Sequence, residues 1–141
     1  MRRAVVGAVG VVLVLAGCAT GAGGAPDDPV TGPDVAAELT IGLDETGDGT
    51  VVTWRLTCAP SGGDHPDPAA ACAALEAAGG AAFAPLAPDA ICTELYGGPQ
   101  TATVTGTVDG EPVDARFSRI NGCEISRWDA LAPLLGSVGG V

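Results

Sequence analysis

The chain has 141 residues and carries 17 acidic but only 6 basic side chains, which gives a formal net charge of −11. Phosphate backbones and anionic lipid headgroups repel so acidic a protein, and this argues against nucleic acid as a partner. Two Trp, one Tyr and two Phe leave a thin apolar core. Crosslinks would therefore contribute much to the stability of a single domain of this size.

The first 17 residues have the pattern of an export signal. An apolar run from Ala4 to Leu15 follows two arginines, and it is shorter than the roughly 20 residues that span a bilayer. The run ends in Leu-Ala-Gly before Cys18, which resembles the lipobox of bacterial lipoproteins. The resemblance implies that cleavage precedes Cys18 and that its thiol carries a diacylglycerol. We expect a lipoprotein on the outer face of the cytoplasmic membrane. The alternative is an ordinary signal peptide and a soluble secreted protein with a free thiol.

Residues 18–34 are dense in Gly and Pro and have almost nothing to bury, so they predict a flexible tether. A single domain is expected over residues 35–141.

The elements expected in that domain are those of an α+β fold. Residues 38–43 and 50–58 predict a β-hairpin, residues 101–108 and 112–117 predict a second one, and residues 91–96 predict a short extended segment. Residues 69–78 predict a helix. Residues 125–135 predict a second, short helix that Pro133 would interrupt. The sum is an antiparallel sheet of about five strands with two helices.

Four cysteines remain in the domain: Cys58, Cys72, Cys92 and Cys123. An even set in an exported chain predicts two disulfides, and the spacing leaves all three pairings open. Structural zinc is the alternative, but there is no Cys-x-x-Cys pair and only one histidine.

Two loops could carry chemistry, and each is better explained without it. Asp44, Thr46 and Asp48 are spaced partly as in a calcium loop, but Arg55 stands where such a loop needs its bidentate glutamate, so a turn is predicted. His65 could be a general base, but no candidate nucleophile lies near it in sequence, so a solvated loop histidine is predicted. A Gly-x-Ser-x-Gly element is absent from the sequence. We therefore predict that the chain is not an enzyme and uses no metal or cofactor.

A larger set of residues surrounds the four cysteines, in the segments 56–60, 65–66, 71–75, 92–96 and 121–124. Over about residues 38–130 these segments resemble the Streptomyces subtilisin inhibitor-like family of secreted serine-protease inhibitors. The resemblance implies the bonds Cys58–Cys72 and Cys92–Cys123. It also implies a rigid reactive loop that presents one peptide bond, Glu94–Leu95, to a protease.

In a protease inhibitor, P1 is the residue before the reactive bond and P1′ is the residue after it. Glu94 is then P1 and Leu95 is P1′, within a loop that also contains Ile91, Cys92, Thr93 and Tyr96. Family members commonly carry Met or Lys at P1. A glutamate there implies a protease with a basic pocket, such as a glutamate-specific one, with a subtilisin-like protease as the other candidate and poor binding to trypsin.

Two further positions depart from the family pattern. Thr93 stands where Pro is frequent, and Gly97-Gly98-Pro99 replaces Asp-Pro, which makes the loop one residue longer and more flexible. We expect a membrane-anchored serine-protease inhibitor. The alternative is an envelope lipoprotein that binds another partner on the same fold, with inhibition weak or lost. Relatives dimerise through sheet packing, and the sequence leaves open whether this chain forms a homodimer.

Overall fold

The computed structural model describes residues 35–136, and the predicted signal segment, Cys18 and the tether lie outside these residues. The described elements begin with β1 (Ala37–Asp44), β2 (Val51–Cys58), β3 (Gly62–Gly63) and α1 (Pro68–Ala78). A 3-10 turn (Gly80–Phe83) follows. The chain then forms β4 (Thr101–Val108), β5 (Glu111–Phe117), α2 (Gly122–Ala130) and α3 (Ala132–Leu135).

The five strands form one antiparallel sheet in the order β3-β2-β1-β4-β5. Strand β1 is central, so Ile41 pairs with Trp54 on one side and with Val104 on the other. The alternating side chains of the strands put apolar residues on one face, which the helices cover. The other face is open in the single chain and carries charged residues together with seven threonines: Thr40, Thr53, Thr57, Thr101, Thr103, Thr105 and Thr107.

The predicted α+β fold with a five-stranded antiparallel sheet is confirmed, but the fifth strand is not where the sequence suggested. Residues 91–96 form no strand, and the fifth strand is β3, inside the predicted loop after β2. The backbone N–H groups of Asp64 and His65 both donate to the Arg55 carbonyl, at 3.0 and 3.1 Å. A Cβ at Gly63 would collide with that carbonyl, and the φ of Gly63 is +98°. Only glycine allows this approach, which local strand patterns do not reveal.

The helices begin and end at residues with specific capping roles. Asp67 accepts a hydrogen bond from the Ala70 N–H at 3.1 Å and caps α1, which begins at Pro68. Asn121 caps α2 in the same way through the Glu124 N–H, at 2.9 Å. The second helix was predicted to begin at residue 125, but it begins at Gly122, directly after this cap. It divides at Leu131 into α2 and α3, because proline cannot continue the helical hydrogen bonding.

His65 was predicted to be a solvated loop residue, and this prediction is wrong. The ring is 6% exposed and lies edge-on to Trp54, with 5.3 Å between the ring centroids. Its Nδ1 accepts the Asp67 N–H at 3.0 Å, so the proton of the neutral ring is on Nε2 and is donated to the Leu134 carbonyl at 2.9 Å. His65 therefore joins the start of α1 to α3. The neighbouring sequence does not predict this buried position, because the partner of the ring, Leu134, is 69 residues away.

Candidate functional site

The longest connection of the domain, between the 3-10 turn and β4, carries the predicted reactive segment. Residues 93–96 are exposed, and Ile91 is 99% exposed. Within residues 35–136, the exposed large apolar side chains are Val51, Val52, Ile91, Leu95, Tyr96 and Ile120. Four of these six lie on this connection or on the neighbouring segment 119–123, so the exposed apolar surface concentrates there.

A disulfide and one hydrogen bond hold the segment on the N-terminal side of the Glu94–Leu95 bond. Cys92 is bonded to Cys123 with a Cα–Cα distance of 5.3 Å. The Gly122 N–H donates to the Thr93 carbonyl at 3.0 Å. A Cβ at Gly122 would collide with the Thr93 hydroxyl, so a larger residue at 122 would displace the Thr93 side chain.

Gly97 is the attachment point on the C-terminal side of the bond. Its N–H donates to the Arg119 carbonyl at 2.7 Å, and its own carbonyl accepts from Arg119 Nε at 3.3 Å. A Cβ on Gly97 would stand 2.9 Å from Ile125 Cδ1 and 3.2 Å from Arg119 Cβ. Both polar backbone groups of Gly97 are thus bonded and its α-carbon is closely packed. The sequence predicted a flexible loop at Gly97, whereas these contacts hold Gly97 in place.

The turn between β1 and β2 abuts the end of the same connection. A Cβ on Gly47 would stand 2.8 Å from the Pro99 carbonyl oxygen, so the turn and Pro99 are in close contact. Burial raises the pKa of Asp44, but hydrogen bonds from the backbone N–H groups of Gly49, Gly47 and Thr46 outweigh it and hold the pKa below its usual value. The Asp44 carboxylate is thereby committed to shaping the turn, as the sequence predicted.

Glu94 itself is exposed and makes no hydrogen bond or ion pair within residues 35–136. It can therefore enter a partner's pocket without breaking a hydrogen bond or ion pair to the described residues. Leu95 and Tyr96 are exposed beside it. The arrangement presents a short peptide whose ends are fixed and whose side chains are free to contact a partner.

Comparison with known proteins identifies the group to which this arrangement belongs. The model of the subtilisin inhibitor-like family matches residues 35–120, more than half of the chain. The chain belongs to the subtilisin inhibitor-like family. This confirms the resemblance seen in the sequence.

Two relatives and one solved structure illustrate the family. Subtilisin inhibitor-like protein 1 of Streptomyces cacaoi is 43% identical over 79 residues, which are 53% of this chain and 71% of the relative. The subtilisin inhibitor of Streptomyces violaceus is 39% identical over 93 residues, 62% of this chain and 63% of that protein. Sermetstatin of Streptomyces caespitosus, solved in complex with Bacillus licheniformis subtilisin, is 26% identical with a TM-score of 0.47, covering 72% of this chain and 98% of sermetstatin. The names of the first two proteins are those of an inhibitor-like protein and an inhibitor.

The second disulfide of this family member lies away from the exposed loop. Cys58 is bonded to Cys72, with a Cα–Cα distance of 5.7 Å, and ties the end of β2 to α1 in the core. Both bonds have the pairing that the resemblance implies.

Within the described part of the chain, no group of three or more His, Cys, Asp or Glu side chains could hold a metal ion, and no helix is long and apolar enough to cross a membrane.

Sequence reasoning missed the residues that support the loop. Asn121 and Gly122 belonged to the family resemblance but had no predicted role there, whereas Asn121 caps α2 and the Gly122 N–H donates to the Thr93 carbonyl. Arg119 carried no local signal at all. The one available hint was the extra glycine in Gly97-Gly98, because an unusual glycine often marks a close backbone approach.

Proposed function

We propose that the chain inhibits a serine protease by offering the Glu94–Leu95 peptide bond to the active site as a substrate would. The observation that carries this proposal is the attachment of the exposed segment on both sides of the bond, by Cys92–Cys123 and Gly122 on one side and by Arg119 on the other. Family membership and relatives that are named as subtilisin inhibitors support it.

A loop held in this way favours inhibition for two physical reasons. A segment that is already ordered loses little conformational entropy on binding, so more of the contact energy remains as affinity. If the protease does cleave the bond, the fixed ends keep the new amino group beside the acyl-enzyme. Re-formation of the peptide bond then competes with hydrolysis.

Glu94 as P1 directs the proposal towards a glutamate-specific protease, with a subtilisin-like protease as the second candidate. An acidic side chain in an apolar or acidic pocket would be buried without a partner, which is strongly unfavourable. A basic pocket supplies that partner. The exposed, unpaired state of Glu94 supports its use as the residue that enters the pocket.

The test is a stoichiometric titration against a glutamate-specific protease, subtilisin and trypsin. The protein titrated is the exported chain, which begins at residue 18 and carries Cys18→Ser so that it receives no lipid. We expect tight one-to-one inhibition of the glutamate-specific protease, weaker inhibition of subtilisin and little of trypsin. Reduction of the disulfides should abolish the inhibition. Absence of inhibition across the panel, or rapid cleavage after Glu94, would contradict the proposal and favour a binding role on the same fold.

We also propose that Cys18 is lipidated and anchors the inhibitor outside the cytoplasmic membrane. The support is the lipobox-like sequence that ends at Cys18 and the Gly- and Pro-rich residues 19–34 after it. An anchored inhibitor would act on proteases that reach the membrane surface. Mass spectrometry of the protein from a host that processes lipoproteins should show a chain that begins at Cys18 and carries a diacylglycerol. An unmodified Cys18 thiol, or release of the whole population into the medium, would overturn this proposal.

A further inference from the structure

One short segment, residues 119–123, holds both sides of the Glu94–Leu95 bond. Cys123 and Gly122 bind the side before the bond, and Arg119 binds the side after it. We propose that the Arg119 side chain is a positioning residue for inhibition, which keeps the leaving-group half of the loop in place once the bond is cut. This inference rests on the proposed inhibitory function and extends it to a residue outside the loop.

The guanidinium of Arg119 links the loop to α2. Its Nε donates to the Gly97 carbonyl at 3.3 Å, and its Nη1 lies 3.3 Å from the Asp129 carboxylate. Its central carbon stands 5.8 Å from the ring centroid of Trp128, which is fully buried. The Arg119 side chain is 14% exposed. These three partners hold the mostly buried guanidinium of Arg119 in one orientation. Its charge-assisted hydrogen bond then holds the Gly97 carbonyl in place.

The chemistry explains why this attachment matters. The serine oxygen of the protease bonds to the Glu94 carbonyl carbon, the bond to the Leu95 nitrogen breaks, and that nitrogen takes up a proton and becomes a free amine. In the reverse step the amine attacks the ester, loses its proton and expels the serine. Water attacking the same ester gives the clipped product. Because Gly97 is two residues beyond Leu95, a fixed Gly97 keeps the amine close to the ester and favours reversal.

Lysine at position 119 should not replace arginine. The planar guanidinium presents separate N–H groups to the Gly97 carbonyl and to Asp129 while its face lies over Trp128. A lysine ammonium is a single point of charge on a flexible stem, and it cannot make all three contacts in one geometry.

Arg127, on α2, provides a matched control. It bonds Glu124 at 2.8 Å and the Arg116 carbonyl at 3.3 Å, and its guanidinium stands 4.7 Å from the ring centroid of Phe117. Its side chain is 13% exposed, almost the same as that of Arg119. It makes the same three kinds of contact, but none of them is with the loop.

The experiment compares Arg119→Ala, Arg119→Lys and Arg127→Ala in the exported chain carrying Cys18→Ser. Each is incubated with a catalytic amount of a protease that the unsubstituted chain inhibits. Mass spectrometry gives the ratio of clipped chain, heavier by one water, to intact chain at equilibrium, and thermal unfolding is recorded in parallel. We expect Arg119→Ala and Arg119→Lys to raise the clipped-to-intact ratio about tenfold, the factor expected for one lost hydrogen bond to a charged group. Arg127→Ala should leave the ratio unchanged although it lowers the unfolding temperature.

Equal clipping of Arg119→Ala and Arg127→Ala would reduce Arg119 to a structural role and overturn the inference. Clipping of Arg119→Lys at the unsubstituted level would also overturn it, because the fixed guanidinium geometry would then be unnecessary. If Arg119→Ala does not fold, Asp129→Asn tests the same link more gently, since Asp129 is 64% exposed. It should raise the ratio in the same direction, and an unchanged ratio would contradict the proposal. An unsubstituted chain that inhibits no protease would refute the proposed function itself and this role with it.

Discussion

Replacing Glu94 with lysine should transfer inhibition from a glutamate-specific protease to trypsin. The glutamate carboxylate is expected to pair with basic groups in the first protease, and an ammonium there would face like charges in a buried site. Losing one partner of a buried charge pair costs roughly 3–5 kcal/mol, which weakens inhibition about 150- to 5000-fold. In trypsin, whose pocket accepts basic side chains, the lysine should gain a comparable factor.

Glu94→Gln separates the effect of charge from that of shape. It keeps the size of the side chain and should weaken inhibition of the glutamate-specific protease without creating inhibition of trypsin. Unfolding curves should be unchanged for both variants, since Glu94 is exposed and its side chain makes no hydrogen bond or ion pair with residues 35–136.

Glu76→Lys is the matched control for net charge, because Glu76 is an exposed acid on α1, outside the loop. It should leave both inhibition constants within about twofold, since exposed charges far from a contact are screened by salt. Unaltered inhibition of the glutamate-specific protease by Glu94→Lys would show that another residue occupies the pocket.

The sequence predicted the sheet and α1 well because those elements are specified by neighbours in the chain. The strict alternation in residues 101–108 and the Asp109-Gly110 turn define the β4–β5 hairpin locally, and β4 has the predicted bounds. Pro68 and Gly79 likewise delimit α1. Such signals act over a few residues, and a reader of the sequence alone can use them.

The sequence did not predict the elements that depend on contacts between distant parts of the chain. His65 is buried by Leu134, and Gly97 is held by Arg119, which lies 22 residues further on. The loop residues that face a protease could be chosen from the family resemblance, since they surround Cys92. The resemblance also gave Cys123 as the partner of Cys92, but Arg119 and the Gly122–Thr93 hydrogen bond could not be predicted, because a hydrogen bond between separate segments leaves no periodic pattern in either of them.

The two disulfides should have similar effects on stability but different effects on inhibition. Cys58–Cys72 closes a separation of 14 residues inside the core, and Cys92–Cys123 closes one of 31 beside the loop. The chain-entropy estimate for removing them is about 3 and about 4 kcal/mol of unfolding free energy, respectively. The free energy of unfolding would therefore differ little between the two double variants, Cys58→Ser/Cys72→Ser and Cys92→Ser/Cys123→Ser.

Inhibition should distinguish them strongly. The folded fraction of Cys58→Ser/Cys72→Ser should inhibit as the unsubstituted chain does, because that disulfide ties the end of β2 to α1 in the core and does not hold the loop. Cys92→Ser/Cys123→Ser should bind weakly and be cleaved after Glu94, because the attachment two residues before the bond is gone and the Gly122–Thr93 hydrogen bond alone must hold that side. Denaturant unfolding and inhibition titrations, made at a temperature where both variants are folded, measure the two effects.

The reverse pattern would locate the inhibitory determinant elsewhere. If the Cys58–Cys72 variant lost inhibition while folded, the core would be transmitting strain to the loop through α1. If the Cys92–Cys123 variant kept full inhibition without cleavage, the two hydrogen bonds of Gly97 to Arg119 would suffice to order the loop. Combining Cys92→Ser/Cys123→Ser with Arg119→Ala then removes the disulfide on one side and the Arg119 side-chain contact on the other. Inhibition that depended on a held loop would be lost in that combination, since two backbone hydrogen bonds, Gly122 to Thr93 and Gly97 to Arg119, would then be the polar attachments left, and each contributes only about 1 kcal/mol.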